Sequence, residues 1–238
     1  MKLTSIHNDK VKYWSNLKNK KFRDQEKCFL IEGEHLINEA EKIGLVKETI
    51  SIDDEASDYL VTKEIMSKIS DQKSISKKVA VAKFIPEKDV SGNIIILDNL
   101  QDPGNLGTII RSAVAFNFET IILGDTSVDL YNPKVVRATE GMLFHTNVLR
   151  KNLEEYIPKL KSMRYKIIGA DVINSSNINS VSKEKVAIVI GSEGSGISKN
   201  VKDLCDGFIN IKMNEKVESL NAGVAASIIM YEVDNGNI

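Results

Sequence analysis

Cysteine, histidine and long apolar runs are all scarce in this chain of 238 residues. Its two cysteines, Cys28 and Cys205, lie far apart and form no Cys-x-x-Cys pair, which argues against a disulfide framework or a zinc site. His7, His35 and His145 are equally scattered, so no metal is expected. No apolar stretch reaches the ~18–20 residues that span a bilayer. The opening "MKLTSIHNDK" lacks the apolar centre of an export signal, and the expectation is a cytoplasmic protein with no membrane partner. Internal repeats and low-complexity tracts are absent. So are both common nucleotide fingerprints: no Lys-Ser/Thr follows a glycine loop, and "GSEGSG" (Gly191–Gly196) has the wrong spacing for a dinucleotide fold.

What is present is ordinary globular composition, 42% hydrophobic and 27% charged. A net charge of −1 gives no global attraction to nucleic acid, but the charge is unevenly spread. Residues 1–24 carry Lys2, Lys10, Lys12, Lys18, Lys20, Lys21 and Arg23 against Asp9 and Asp24, and "DDEASD" (Asp53–Asp58) offsets them later. Such a basic segment is either a phosphate-contacting surface or a solvated helix face.

The chain reads as an α/β protein in two parts. Up to about residue 90, "KVKYWSNLKNKKFRDQ" predicts one basic helix with Val11, Trp14 and Leu17 along a side. "CFLIEG", "ETISID" and "VAVAKF" predict strands, and "EHLINEAEKIG" an amphipathic helix closed by Gly44. The polar connection Ile85–Asn93, with its Pro and Gly, marks the boundary between domains at 1–90 and 91–238. Beyond it "IIIL", "TIILG", "YKIIGAD", "VAIVI" and "GFINIKM" alternate with helical segments, including one from about Asn105 to Phe116. Continuous apolar strands separated by helices imply a parallel sheet covered on both faces.

Three segments exceed what packing requires. "DNLQDPGNLGTIIRSAVAFN" places a turn cluster, Asn105 and Arg111 just after the first strand of the second part; a capping asparagine and a surface arginine would explain it equally well. "GSEGSGIS" puts Glu193 inside a glycine loop, where a carboxylate suits a cation or hydroxyl but not a phosphate. "INIKMNEKVESLNAGVAASI" carries Ser219 and Asn221 before a helix that opens on small residues. Both are also good helix caps.

In this order the three segments resemble the motifs of the SpoU/TrmH family of RNA ribose 2′-O-methyltransferases, within the SPOUT superfamily. "KVVRATEGMLFH" (Lys134–His145) resembles the stretch between the first two motifs, and the resemblance covers about residues 91–233. It implies an α/β-knot catalytic domain whose carboxy-terminal trefoil knot binds S-adenosylmethionine, with backbone around Gly191, Ile211 and Leu220 holding the adenosine. It also implies Arg111 as the catalytic residue, positioned with the target nucleotide by Asn105, Glu193, Ser219 and Asn221, and a homodimer with no metal. The first part, through "LTSIHNDKVKYWSNL", Arg23 and "FLIEGEHLINEA", resembles the small ribosomal-protein-like α/β domain that binds substrate RNA in such enzymes. Lys18, Lys20, Lys21 and Arg23 are its expected RNA contacts. An accessory domain adds reach, which favours ribosomal RNA over transfer RNA as the structured partner. A transfer-RNA methyltransferase and a non-catalytic RNA-binding assembly factor of the same fold are the alternatives.

Overall fold

The computed structural model describes residues 1–72, 75–171, 176–177 and 185–236. In chain order the elements are β1 (Lys2–Leu3), α1 (Asp9–Asn16), α2 (Lys20–Glu26), β2 (Cys28–Glu32), α3 (Glu34–Lys42), β3 (Val46–Ser51), β4 (Tyr59–Val61), α4 (Lys63–Ile69) and β5 (Lys78–Lys83). There follow β6 (Ile94–Leu97), α5 (Pro103–Ala115), β7 (Thr120–Gly124), α6 (Pro133–Ala138), a 3-10 turn at Met142–His145, β8 (Asn147–Lys151) and α7 (Leu153–Ser162). The chain closes with β9 (Lys166–Ala170), β10 (Ser176–Asn177), β11 (Val186–Ile190), α8 (Lys199–Lys202), β12 (Gly207–Asn210) and α9 (Ala222–Asp234). These fall into two units, Met1–Pro86 with Asp129–Phe144, and Glu87–Val128 with His145–Ile238.

The second unit is built on a seven-stranded sheet in the order β10-β12-β9-β11-β6-β7-β8, parallel at every pairing. Each residue of β6, β7 and β11 is buried, as expected of strands covered on both faces. Ile94, Ile96, Ile122, Ala187 and Val189 pack on one face with Leu153, Ile157 and Leu160 of α7 and Val201 of α8. Alternation sends Ile95, Leu97, Ile121 and Ile188 to the opposite face, and α5 lies along α9. From β6 the chain builds outward through β7 to β8. It then returns beyond β6 to lay β9, and β11 fills the gap between β9 and β6. The loops after β6 and β11 therefore diverge, and such a switch point is where open α/β sheets gather ligands.

The first unit has a five-stranded sheet in the order β1-β4-β3-β5-β2, parallel at β1·β4 and β3·β4 and antiparallel at β3·β5 and β2·β5. Val11, Trp14 and Leu17 are buried as their spacing predicts. Trp14 Nε1 donates to Glu48 Oε1 at 2.7 Å, and Lys10 Nζ to Glu48 Oε2 at 2.7 Å. The expected single basic helix is instead two. α1 stops at Leu17, and Asn19 restarts the chain by accepting from Lys21 N with its side chain. A fresh N-cap within a helical pattern supplies the acceptor that ends one helix and begins another.

Arg23 explains why this break is stable. Its guanidinium is buried, at 3% exposure, and donates to Leu17 O at 2.8 Å and Lys18 O at 2.7 Å, both at the end of α1. It also meets Asp129 Oδ2 at 2.5 Å. Asp129 opens the segment 129–144, which belongs to this unit although it follows α5 and β7 of the other in sequence. There Tyr131 stacks on Phe84, with centroids 3.9 Å apart, and accepts from Ile85 N at 2.9 Å. Cys28 is buried, and burial pushes the Cys205 thiol up to about 11. Among the described residues no helix is long and apolar enough to cross a membrane, and no group of three or more His, Cys, Asp or Glu side chains is placed to hold a metal.

Arg23→Ala would leave Asp129 without its ion-pair partner and the carbonyls of Leu17 and Lys18, just past α1, without their donor. We expect a loss of about 3 kcal/mol, read as a lower urea midpoint at unchanged denaturant slope.

Candidate active site

The switch point between β6 and β11 brings the three motif segments together. At the end of β6, Asp98 is buried. Its backbone N donates to Ile190 O at 2.9 Å, and its Oδ2 accepts from Ser198 N at 2.7 Å. The start of the first segment is thus tied to both ends of the second. Asp102 then caps α5, accepting from Asn105 N at 2.8 Å, with Pro103 in the first turn. Asn105 is therefore not the cap; it lies one turn inside, 6% exposed, with its amide free for another task.

That task is to hold Glu193. Asn105 Nδ2 donates to Glu193 Oε1, and Asn221 Nδ2 donates to the same oxygen at 3.0 Å. Asn221 also caps α9, its Oδ1 accepting from Val224 N at 3.2 Å. Ser219 does not cap that helix. Ionised carboxylates only accept hydrogen bonds, so Glu193 can gather two amide donors on one oxygen. Its Oε2 makes no hydrogen bond among the described residues.

Two glycines make this convergence possible. A Cβ on Gly191 would lie 2.0 Å from Gly196 C and 2.2 Å from Ile197 N, inside the backbone of its own loop. The loop folds back that tightly because Ser192 and Gly196 exchange backbone hydrogen bonds of 3.1 and 2.9 Å, with Gly196 at φ +65°. Gly223, in the first turn of α9, faces Asn105 Oδ1 and Asn221 Oδ1, each 3.2 Å from where a Cβ would stand. A side chain there would crowd both amides where α9 meets α5, whose Ser112 Oγ meets Ser227 Oγ at 2.7 Å.

Beside the carboxylate lies a cavity of about 370 Å³, walled by Ile190, Ile197, Ile209, Leu220 and Ile229 and also lined by Gly191, Glu193, Ile211 and Ser219. Its other charged groups are Asp171 and Lys202, paired at 2.6 Å. Asn210 is also among the lining residues, with its Oδ1 shielded from solvent and without a hydrogen-bond partner among the described residues. An aliphatic slot and a carboxylate rim fit a ligand with a flat ring and a positive charge. S-Adenosylmethionine is such a ligand, and it carries no phosphate for a cradle to hold.

Of the residues singled out from the sequence, Asn105, Glu193 and Asn221 are joined by hydrogen bonds, while Gly191, Ile211, Leu220 and Ser219 share the cavity. Arg111 is separate. It lies six residues beyond Asn105, roughly 9 Å along α5, and its exposed guanidinium has no partner among the described residues. The four basic candidates are in the other unit and are unlike one another. Lys18 Nζ donates to Lys68 O and Ser70 O, Lys20 pairs with Asp24, and Lys21 is exposed without a partner among the described residues. Arg23 is withdrawn from the RNA-contacting set, because its guanidinium is buried and its Nη1 and Nη2 groups are engaged by carbonyls and Asp129 inside the fold. Sequence reading passed over Asp98, Asp171, Asn210 and Gly223. Asp98 stood inside a quoted motif, but only the strand order shows that it faces Ser198. Gly191→Ala should displace the loop; we expect a lower melting temperature and a loss of at least tenfold in S-adenosylmethionine affinity by calorimetry.

Comparison with known proteins agrees with this geometry. Residues 92–231 match the SpoU rRNA Methylase family, and residues 8–80 match the MRM3-like substrate binding domain. A Bacillus subtilis protein named 23S rRNA (guanosine(2553)-2′-O)-methyltransferase RlmP is 34% identical over 243 residues, covering 97% of this chain and 98% of that one. The AdoMet-bound rRNA methyltransferase of Sinorhizobium meliloti superposes with a TM-score of 0.88 at 25% identity, over 99% of this chain and 97% of that one. The fold is shared with the SpoU methyltransferase AviRb of Streptomyces viridochromogenes in complex with AdoMet, at a TM-score of 0.87 and 24% identity, over 96% of this chain and 98% of that one. With the three motifs on one carboxylate and the family model covering more than half its length, the chain belongs to the SpoU rRNA methylase family and is an S-adenosylmethionine-dependent RNA ribose 2′-O-methyltransferase.

Proposed function

We propose that this enzyme methylates the ribose 2′-hydroxyl of one guanosine in 23S ribosomal RNA, at the cavity rim where Glu193 gathers Asn105 and Asn221. That hydrogen-bonded node carries the reading, because it joins the three motifs beside a slot suited to the cofactor. The choice of 23S RNA rests on the Bacillus subtilis relative, which is matched over nearly its whole length and whose name specifies that substrate. Ribose-methylation mapping of total RNA with and without the gene tests it. Loss of one 2′-O-methylguanosine from 23S RNA is expected. An unchanged ribosomal pattern with a lost transfer-RNA site would establish the alternative, and no loss in any RNA would overturn the assignment.

When bound, S-adenosylmethionine supplies a methyl group on a sulfonium, a leaving group that needs no activation. The protein's tasks are then to align the attacking hydroxyl and to assist loss of its proton. Gly191, Ile211 and Leu220, which line the cavity, would hold the cofactor's adenosine from the backbone. Glu193 locks Asn105 and Asn221 and leaves Oε2 facing the rim, while Ser219 lines the same edge. Arg111 clamps the phosphate beside the target ribose and polarises the hydroxyl. Guanidinium stays protonated in proteins, so a phosphate oxygen or water takes the proton. In the conformation of one chain Arg111 stands apart from the Glu193 node, and we assign the complete site to a homodimer. Val224 and Tyr231 leave apolar surface exposed on α9, 45% and 49% respectively, which suits such an interface. We read the carboxy-terminal path as the family's trefoil knot, since the loops after β11 and β12 and the start of α9 line one cavity. The enzyme is assigned to the cytoplasm, where ribosomal RNA is made, and to chemistry without a metal.

The amino-terminal unit is read as the RNA-docking domain, with Lys20 and Lys21 as phosphate contacts and Lys18 a lesser one. Arg111→Lys should lower kcat about 10²-fold with cofactor affinity unchanged; near-normal turnover would exclude a need for the guanidinium's planar fork. Replacing Lys20 and Lys21 with glutamine should weaken RNA binding and flatten its salt dependence by about 1–2 in log–log slope. Unaltered RNA affinity would return that face to solvent.

A further inference from the structure

Two carboxylates line the cavity among the described residues. Glu193 is spent on the asparagine node, whereas Asp171 has no part in the reaction described above. It follows β9, the strand that lies between β11 and β12 in the sheet. Gly169 of β9 pairs with Val189 of β11, and Ala170 with Ile209 of β12. Counted on in the same register, Asp171 stands level with Gly191, and its backbone N still donates to Ile209 O at 3.0 Å. Ile167 packs with residues of α7 and α8, and alternation along the strand carries Asp171 to that same face. There Lys202, the last residue of α8, meets Asp171 Oδ2 at 2.6 Å, with the carboxylate side chain 18% exposed.

An ion pair beside an aliphatic slot is costly to cover. A ligand that seals it from water offsets that cost only by hydrogen-bonding to the lone pairs left over. An ionised carboxylate accepts at about four positions, so Asp171 has capacity beyond one ammonium. What enters here must therefore carry donors. In S-adenosylmethionine these are the ribose hydroxyls, the 6-amino group of adenine and the ammonium of the amino-acid arm. Register decides among them. Gly191 and Ile211, read above as adenosine contacts, follow the strands on either side of β9, so Asp171 faces the nucleoside and not the arm. Within the nucleoside the ribose joins the base to the sulfonium and lies nearer Glu193. Asp171 is one strand spacing, about 4.8 Å, from Gly191 of the Glu193 loop, and the end of β12 is two away. The ribose falls to Asp171 and the base to β12. Hydroxyls accept as well as donate, which lets the Lys202 ammonium share them. Dinucleotide-binding α/β folds likewise give a ribose hydroxyl an acidic partner.

We propose that Asp171, oriented by Lys202, accepts hydrogen bonds from the ribose 2′- and 3′-hydroxyls of the cofactor. This rests on the reading of the cavity as the cofactor pocket, and the test separates the two. Dissociation constants are measured by calorimetry on the full chain. The ligands are S-adenosylhomocysteine, its 2′,3′-dideoxyribose analogue, its analogue with purine in place of adenine, and 5′-methylthioadenosine, which lacks the amino-acid arm. Wild type should prefer S-adenosylhomocysteine over the dideoxy ligand about tenfold or more, as expected of hydrogen bonds to a charged group. Asp171→Ala should bind those two about equally, at the weaker level. It should weaken the purine ligand and 5′-methylthioadenosine by the same factor as S-adenosylhomocysteine, since both keep the diol. A retained preference for the diol would overturn the proposal, as would a loss confined to ligands with the amino-acid arm or with the 6-amino group. A lower melting temperature with the affinities for the diol and dideoxy ligands reduced equally would mark Asp171 as structural and overturn it too. Asp171→Ala combined with Lys202→Met removes the stranded cation and gives the same readouts should the single variant fail to fold. Gly191→Ala reports on the cavity itself: unchanged S-adenosylhomocysteine affinity there would overturn the pocket reading, whatever Asp171 does.

Discussion

Glu193 Oε1 is the atom on which the catalytic unit converges. It receives amide hydrogens from Asn105 of α5 and Asn221 at the start of α9, residues 116 positions apart. Neither asparagine could be replaced by an apolar residue without leaving the carboxylate short of a donor. No second carboxylate could take the place of either amide without repulsion. The node also sets the helix packing, because Asn221 caps α9 with its other amide atom and Asn105 meets Gly223 across the α5–α9 contact. One acceptor thus fixes a loop, a helix start and a helix pair, while the carboxylate's second oxygen makes no hydrogen bond among the described residues.

The glycine loop that carries Glu193 is constrained by space more than by flexibility. Gly191 is required because its missing side chain would overlap Gly196 and Ile197, and the tightness of that return lets the loop be a wall of the cavity instead of a lid. Asp98 anchors the far end at Ser198 N, so the loop is held at both ends by the strand from which the first motif departs. A sulfonium ligand makes no demand for the array of backbone donors that a phosphate needs. This accounts for a glycine loop with a carboxylate in it and without a phosphate-binding pattern.

The amino-terminal unit makes a different use of charge. Its cations divide into those that hold the fold and those left for a partner. Arg23 and Lys10 are fastened to Asp129 and Glu48, Lys18 to two carbonyls, and Lys21 is free among the described residues. A run of basic residues in the sequence is thus a mixture, and a structural arginine looks the same as an RNA-binding one until its partners are seen. The partner of Arg23 comes from a segment more than a hundred residues later, which no local pattern could have indicated.

Local rules were enough to read much of this protein. Continuous apolar runs such as "IIIL" and "VAIVI", short and rich in β-branched residues, suit strands buried on two faces, and their alternation with helices implies a parallel sheet. The order of the three motifs identified the family and its cofactor. Glycine at 191 and a carboxylate at 193 were legible as unusual, and both line the cavity. What depended on tertiary structure was every long-range pairing: that Glu193 gathers Asn105 and Asn221, that Arg23 meets Asp129, and that residues 129–144 return to the first unit. Periodicity and capping act within a few residues, so the sequence displays them directly. Which donor meets which acceptor across a hundred residues follows from strand order, and that is settled only when the sheet is assembled.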